Sequence, residues 1–481
     1  MNYSGLVLCI VFIPVAGAFC LPLAARVSIR LRNILSLAFI LSSFILSLKL
    51  IPLVLSGQTI LIHKSFALGL NFTLLADNLA VFMACVSSLI SAVIVLYSFG
   101  YISHYENQNE YYCMVTLFLG AMMGLVFSAN LILLYVFWEI TAITSWRLIG
   151  FFRDKPYVLK ADKAFLVTVF GSLVMLIGFL GIYQQTGSFD LPIIKEALAS
   201  PGNISNLIVA LILIGIFSKS ATLPFHTWLP DAGVAPSPVT ALLHAAVLVK
   251  IGVYVYARIF IVNITPDVLW HTVVPLIAGI SAIVSAGAAL IETDLKRIIA
   301  YSTISQIGFI FFGLSISNAI ATLGALLFIL MHGLAKAGLF LCAGIIEQNT
   351  KVKDITKLGG LISTMPVTAM AFLFCSFSVM GIPPFGGFFS KYLVFSGALA
   401  EGRLWVVLIF LIGAFMTIIY LFRVFNLVFL GKANIPARES SPVMVASVAG
   451  LALLSLAAGI MIYYPYKFAQ VSTWQMLGVF K

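Results

Sequence analysis

Charge is what this sequence has least of. Asp, Glu, Lys and Arg together make up 9% of its 481 residues, against roughly 25% in a soluble domain. So few solvated groups give no sign of a separate water-soluble domain. Cysteine is sparse too: Cys9, Cys20, Cys85, Cys113, Cys342 and Cys375 are scattered, and no C-x-x-C occurs. Neither a zinc site, a disulfide framework nor haem attachment through C-x-x-C-H is indicated. The phosphate-binding pattern G-x-x-x-x-G-K-[ST] and the dinucleotide glycine motif are missing as well. Nothing in the chain predicts a redox cofactor bound to it.

What fills the sequence is apolar: 62% of the residues are hydrophobic. A transmembrane helix needs about 20 apolar residues, and about 14 such segments can be marked. They cover 4–25, 33–55, 77–102, 111–129, 130–152, 161–184, 204–223, 237–259, 268–290, 295–316, 318–346, 364–400, 403–431 and 442–464. The predicted fold is an all-α polytopic membrane protein. No basic residue precedes the first apolar run, which fits a retained span better than a cleaved signal.

The net charge of +11 follows topology. Basic residues gather in alternate loops: Arg26, Arg30 and Arg32; Arg153, Lys155, Lys160 and Lys163; Lys296 and Arg297; Lys351, Lys353 and Lys357; Lys432 and Arg438. The opposite side holds fewer: Lys49, Lys64, Lys195, Arg258, Arg403, Lys467 and Lys481. The positive-inside rule then puts the first set inside and both termini on the outer face of a cell membrane. No nucleic-acid partner is expected.

Two spans read as broken. "GIFSKSATLPFHTWLPDA" (Gly215 to Ala232) sets Lys219 beside Pro224, and "SVMGIPPFGGFFSKYLV" (Ser378 to Val394) sets Pro383 and Pro384 before Lys391. Proline removes a backbone donor and clashes with the preceding turn, so in lipid the freed groups must find protein or water. Interrupted helices at matching places in two halves point to a transport site near the midplane. An offset of 172 (391 minus 219) relates the two lysines, carries Lys250 next to Arg423, and carries Asp162 between His332 and Lys336. The expected organisation is residues 1–110 for the first three spans, 111–260 for one five-span repeat, 261–431 for a second, and 432–481 for the last span and tail.

Other ionisable residues also fall inside spans, where each costs at least about 2.5–3.5 kcal/mol. They are Glu139, His244, Lys250, His332 and Lys336, which join Lys219 and Lys391. His332 and Lys336 are four apart and share a helical face. His244 and Lys250 are six apart, roughly 9 Å along a helix, so they extend a route sideways instead of closing one compact site. Lysine ammonium groups without grouped carboxylates make poor metal ligands, and no metal is expected. Burial disfavours a charged lysine while a nearby carboxylate favours it. Lys219 is therefore read as a proton switch and Glu139 as its tuning partner. Asp231 reads as a cap into the eighth span, His226 and Trp228 as interfacial, and Ser302, Thr303, Ser305 and Gln306 as lining a water route or bonding neighbouring helices. Asp77 reads as a helix-start acid.

"FWEITAITSWRLIGF", "KSATLPFHTWLPDAGVAPSPVTALLHAAVLVKIGVY", "DLKRIIAYSTISQIGFI", "HGLAKAGLFLCAG" and "GIPPFGGFFSKY" resemble the antiporter-like subunits of respiratory complex I. They are similar also to subunits of energy-converting membrane-bound hydrogenases and of Mrp-type Na+/H+ antiporters. The resemblance implies a 14-helix fold with two inverted five-helix repeats and a hydrophilic mid-membrane axis. It carries the proton-translocating role onto Glu139, Lys219, Lys250, His332, Lys336 and Lys391. It also implies partner membrane subunits, antiporter-like or redox-arm, with any redox cofactors held there. Such a chain would not be catalytic alone, but would serve an oxidoreductase of the NADH/ferredoxin:quinone or hydrogenase type. Arg147 stands where many relatives are apolar. It could snorkel, contact a partner subunit, or pair with Asp154 or Asp162. Length and the "TSWRLIGF" run lean towards the hydrogenase-like branch. The function expected is H+ translocation, or H+/Na+ exchange, within a redox-driven pump. The alternatives are an Mrp-type antiporter subunit without redox coupling, a non-transporting scaffold, and a stand-alone solute transporter.

Overall fold

A computed structural model of the chain describes residues 3–66, 71–200, 202–316, 318–432, 435–439 and 441–479. Lys481, counted above among the basic residues, lies outside them. Helices follow one another almost without interruption: α1 (Tyr3–Val27), α2 (Ile29–Leu55), α3 (Asn78–Tyr101), α4 (Gln108–Phe127), α5 (Leu131–Ile149), α6 (Lys155–Thr186), α7 (Leu191–Ala197) and α8 (Asn206–Lys219). Short α9 (Trp228–Asp231) and α10 (Ser237–Ala241) lead into α11 (Leu248–Tyr256), α12 (Trp270–Ile291), α13 (Leu295–Ser315) and α14 (Ala319–Thr350). The remainder is α15 (Pro366–Met380), α16 (Gly386–Ala400), α17 (Leu404–Phe429), α18 (Pro442–Ile460) and α19 (Tyr463–Met476). Twelve helical segments among the described residues are long and apolar enough to cross a membrane. The chain is a multi-pass membrane protein.

The connection between α2 and α3 is structured. It folds into an antiparallel hairpin of β1 (Ile60–Lys64) and β2 (Phe72–Ala76). Buried Asp190 anchors it: Thr73 Oγ1 donates to the carboxylate at 2.7 Å and Asn71 Nδ2 at 2.6 Å, while Asn130 Nδ2 donates at 3.0 Å from the start of α5.

Helices α3, α13 and α14 are buried along nearly their whole length. Peripheral helices instead turn apolar side chains outward, among them Phe19, Leu166, Phe170 and Phe415. In water such a surface would be an aggregation liability; against acyl chains it is the stable face. The polar interior and greasy exterior fix where the ionisable residues must lie.

Both expected breaks are present. After Lys219 the chain turns through residues 220–227, with a cis Leu223–Pro224 peptide. The freed groups find protein partners: Leu223 N donates to Ser281 Oγ at 3.3 Å, and Trp228 Nε1 donates to the Ser218 carbonyl at 3.0 Å. At the second break Gly381, with φ of 84°, closes α15 through bonds to Phe377 O and Ser378 O, the left-handed cap that glycine adopts without steric cost. A cis Pro383–Pro384 peptide follows. Gly387 then lets α16 begin against the end of α15, since a Cβ there would overlap the Ser378 carbonyl.

Two further interruptions were not expected. The eighth span widens into π-helical turns at Leu242–Ala246 and Ala257–Asn263. The fourteenth does not end at 464; it stops at Ile460 and resumes as α19. Its Gly459 lies against the Pro384 carbonyl and Gly386 N, so this gap sits beside the break of the twelfth span. Helix α19 then runs up to Asn78, whose N–H donates to Gln475 Oε1 at 2.9 Å. Lys467 therefore belongs to a helix packed on α3 and α14, not to a loose tail.

The internal recurrence has a spacing of 164, not 172, over its clearest elements. Helices α6 and α14 each have 32 residues and start 164 apart (319 minus 155). Two isolated β-bridges, Asn130–Asp190 and Asp294–Asp354, keep the same 164 (294 minus 130, 354 minus 190). Lys219 and Lys391 are thus not equivalent in local register: one ends a half-helix, the other lies inside the next. Arg423 is no counterpart of Lys250 either. It donates to Leu290 O at 2.7 Å and Glu292 O at 2.9 Å, capping the end of α12.

Candidate functional site

Helix α5 carries Glu139, α8 ends in Lys219, and α11 carries Lys250. His244 occupies the π-helical turn before α11, His332 and Lys336 lie in α14, and Lys391 lies in α16. Lys219, His244, Lys250, His332 and Lys336 are 0% exposed and Lys391 is 5% exposed. Glu139 is only half-buried. Burying so many basic groups is unfavourable unless something offsets it, so their partners decide what they are.

Those partners are carbonyls, hydroxyls and rings, not carboxylates. Lys219 Nζ donates to Trp138 O at 3.2 Å and sits 5.2 Å from the centre of that indole. Lys250 Nζ donates to Ala245 O, in the π-helical turn. Lys336 Nζ donates to Ser302 Oγ at 2.5 Å and Ile299 O at 3.1 Å. Lys391 Nζ donates to Val379 O at 2.7 Å and lies 4.8 Å from the ring centre of Phe309. Carbonyl dipoles and ring faces stabilise a cation without neutralising it.

A helix ends with four carbonyls that lack intrahelical donors, and its C-terminus carries partial negative charge. Lys219 is itself the last residue of α8, while Lys391 reaches back across the gap to the last turn of α15. Only Lys391 places its ammonium on such a helix end; Lys219 turns its ammonium to Trp138 O, inside α5.

The residues fall into two groups. His332 lies within the field of Lys250, Lys336, His244 and Lys391, and Lys336 within that of Lys391. These five form one cluster. Glu139 and Lys219 form a second, with the carboxylate acting on the ammonium but no ion pair between them among the described residues. No hydrogen bond joins Lys219 to Lys250 there. Both ring nitrogens of His244 and of His332 are buried without a protein partner, as is Glu139 Oε1. Buried polar atoms of native proteins are paired with protein or ordered water, so these positions call for water. Among the described residues no three His, Cys, Asp or Glu side chains group as a metal site.

Residues 128–417 match the family described as NADH:quinone oxidoreductase/Mrp antiporter, transmembrane; residues 64–112 match NADH-ubiquinone oxidoreductase (complex I), chain 5 N-terminus. The chain belongs to this antiporter-like family. It is 34% identical over 486 aligned positions to the Na(+)/H(+) antiporter subunit A1 of Staphylococcus aureus, covering 94% of the chain and 60% of that relative. The same subunit from strain JH9 is 34% identical over 450 positions, covering 87% of the chain and 56% of the relative. The chain thus spans about 60% of the length of the curated relatives it matches. In fold it is similar to a chain of the Mrp complex from Dietzia sp. DQ12-45-1b, with a TM-score of 0.90 at 21% identity, covering 99% of this chain and 98% of that one. A chain of an archaeal membrane-bound sulfane sulfur reductase gives 0.89 at 23% identity, covering 98% and 97%.

Within this antiporter-like fold, some residues do other work than their sequence context suggested. Asp231 does not cap the eighth span. Lys163 donates to its Oδ2 at 2.7 Å and Arg297 to its Oδ1 at 2.8 Å, tying α6 to α13. Burial alone would raise the Asp231 carboxyl, but those hydrogen bonds and charges outweigh it and hold it below the usual range. Trp228 is wholly buried within the protein, its Nε1 donating to the Ser218 carbonyl. Arg147 pairs with Glu110, which Arg153 shares, and not with Asp154 or Asp162; Asp162 instead accepts from Trp146 Nε1 at 2.8 Å. Asp77 is a helix-start acid, accepting from Ala80 N at 2.9 Å, and it also binds buried Arg258, whose Nη2 donates at 2.8 Å.

Sequence reading missed Tyr420. Its hydroxyl donates to Ser302 Oγ at 2.6 Å and lies 3.3 Å from Thr417 Oγ1, to which Gln306 Nε2 donates at 3.1 Å. Ser302 thus joins Lys336 to a polar branch between α13 and α17. A hydroxyl three residues from a threonine in an otherwise apolar span was the available signal.

Proposed function

We propose that the chain is a proton-translocating subunit of a membrane complex. It moves H+, or exchanges H+ for Na+, through Glu139, Lys219, His244, Lys250, His332, Lys336 and Lys391. The observation that carries this reading is the buried cluster of basic side chains without a carboxylate among them. Like charges packed in a low-dielectric interior cannot all be ionised together. Such a row holds fewer protons than it has sites, and a proton can step along it. A static scaffold would gain nothing from unpartnered imidazoles next to lysines.

In this reading the basic end of the bundle, with Arg153, Lys296 and Lys353, faces inside, and the two five-span repeats are 111–260 and 261–431. Partners are other membrane subunits, antiporter-like or redox-active, and any redox cofactor belongs to them. Two sources of energy are compatible with the row. The likeness to Na(+)/H(+) antiporter subunits favours exchange driven by an existing ion gradient. The likeness in fold to a sulfane sulfur reductase chain favours electron transfer in a partner.

The test is proton flux in sealed vesicles containing the assembled complex. Lys219→Ala and Lys336→Ala are each expected to lower it about 100-fold, in the range typical of a lost proton-transfer group. Wild-type flux in both variants would refute the reading. Flux started by Na+ alone selects the exchange form, and flux that needs an electron donor selects the redox-driven form.

A further inference from the structure

We infer that Glu347 is the proton-loading residue of this chain, placed at the floor of a cavity at the basic end and joined to the buried cluster along one face of α14. This inference rests on the transport reading above and adds the route by which protons reach it.

The cavity comes first. About 400 Å³ opens between the end of α3, the start of α6, and the loop after α14; Tyr101, Tyr105, Ala235, Lys296, Glu347 and Lys353 line it. A second space of about 500 Å³ adjoins it through Asp154, Tyr157, Val234 and Lys353. Together they bring a polar, open vestibule down to Glu347. Lys296 Nζ reaches that carboxylate at 2.8 Å and Lys353 Nζ at 3.2 Å. Lys296 is itself buried and also donates to Ala235 O at 3.0 Å.

The connection inward follows from helical spacing. Residues 347, 344, 340, 336 and 332 are three or four apart, so they share one face of α14. Glu347 and Lys336 are 11 positions apart (347 minus 336), about 16 Å along the axis. Between them lie Gly344 and Phe340. Gly344 has no side chain to fill its place, and a Cβ there would come within 2.6 Å of Tyr97 Oη and 2.9 Å of Ser237 Oγ. Two buried hydroxyls therefore border this strip of α14 just above Glu347. One turn further, the His244 ring lies 4.4 Å from that of Phe340, centre to centre, and His244 is within the field of Lys336. Hydroxyls, imidazole and ammonium thus succeed the carboxylate in order along one helix face.

Charged and titratable groups face Glu347 from every side. Lys296 comes from α13 and Lys353 from the loop beyond α14. Tyr97 and Tyr101 on α3, and Tyr105 after it, lie within its field. Asp154, Tyr157 and His104 line the outer part of the vestibule, with Lys351 at its rim. The proposed step is a simple proton transfer. Hydronium in the vestibule gives H+ to a Glu347 oxygen and becomes water, and the carboxyl O–H then passes the proton, through water along the Tyr97 and Ser237 hydroxyls, to a ring nitrogen of neutral His244, restoring the carboxylate for Lys296 and Lys353.

The experiment uses the assembled complex in sealed vesicles, with uptake from the basic-end side followed as external pH is varied. Glu347→Gln is expected to slow uptake at least about tenfold, and Glu347→Asp to keep it within about threefold. Lys353→Ala, at a half-exposed loop position, is expected to move the pH midpoint of uptake up by about half a unit, because removing a cation makes a neighbouring carboxylate easier to protonate. A structural role for Lys353 would change the amount of complex and leave the midpoint in place. Full-rate uptake by Glu347→Gln across the pH range overturns the inference, and so does an unmoved midpoint in Lys353→Ala. If Glu347→Gln does not assemble, the Lys353→Ala midpoint decides alone. Full uptake by Lys336→Ala in the same vesicles overturns the transport reading itself, and this inference with it.

Discussion

Lys391 Nζ and the Val379 carbonyl meet at 2.7 Å, although twelve residues and a break in the helix separate them in the chain. The contact clamps α16 onto the end of α15 and holds the ammonium in the interior. Lys391→Met keeps much of the side chain's bulk but cannot donate. It is expected to lower proton flux about 100-fold while leaving the amount of complex unchanged. Flux near the wild-type rate in vesicles of equal complex content would show that the contact serves packing alone.

Ser302 links Lys336 to Tyr420, so removing its hydroxyl leaves both with one acceptor fewer. Ser302→Ala is expected to destabilise the protein by about 1–3 kcal/mol, the range for a buried group deprived of its partner. Tyr420→Phe removes a donor that has an alternative neighbour in Thr417, and its effect should be about 1 kcal/mol. Thermal unfolding of the two purified variants should rank them in that order.

Asp190 accepts from Asn71, Thr73 and Asn130 while almost fully buried. Asp190→Ala would strand three donors, at about 1–3 kcal/mol for each that finds no water. The expected result is a clear loss of thermal stability, with early protease cleavage in the hairpin between α2 and α3. An unchanged melting temperature would mean the hairpin is held by other contacts.

Asp231 sets a pH dependence with a definite sign. Its carboxyl is held low in the folded chain by Lys163 and Arg297. The stability it contributes is fully present above the ordinary aspartate range, near 3.9, and is lost as pH falls through the depressed folded value. Asp231→Asn should therefore unfold earlier than the parent at neutral pH, and the gap should close under strong acid. A gap that stays constant with pH would assign the loss to packing.

Gly459 lies against the backbone of the twelfth span's break. Gly459→Val puts a branched side chain where Pro384 O and Gly386 N already stand, and the chain must shift. Destabilisation of about 1–3 kcal/mol is expected, with flux falling as well because Lys391 follows the break. Loss of stability with full flux would uncouple the fourteenth span from the site.

The spans, both proline breaks and the seven ionisable residues could be read from sequence because each departs from an apolar background. Glu139 or Lys336 in an apolar run stands out with no structure at all. What could not be read were relations set by three-dimensional packing. Arg147 had two nearby aspartates in the chain, yet Glu110, on the neighbouring helix, takes it. The repeat spacing of 172 matched two lysines whose ammonium groups meet different partners, Trp138 O inside α5 and Val379 O at the end of α15, while the helices themselves recur at 164. The gap after Ile460 is flanked by Gly459 and Pro465, ordinary stop and start residues for a helix; that Gly459 lies against Pro384 shows only in three dimensions. The π-helical turn before Lys250, packed against α14 and α3, likewise left no mark in the sequence.

Helix α14 has 32 residues, about 48 Å at 1.5 Å per residue, whereas the hydrocarbon core of a bilayer is about 30 Å thick. If the bilayer is centred on Lys336, as the transport reading has it, Glu347 falls at the boundary between acyl chains and headgroups. Bilayer thickness then becomes a control on the protein: a sterol-thickened or long-chain membrane would submerge the carboxylate in oil, and a thin one would leave it standing in the headgroup layer.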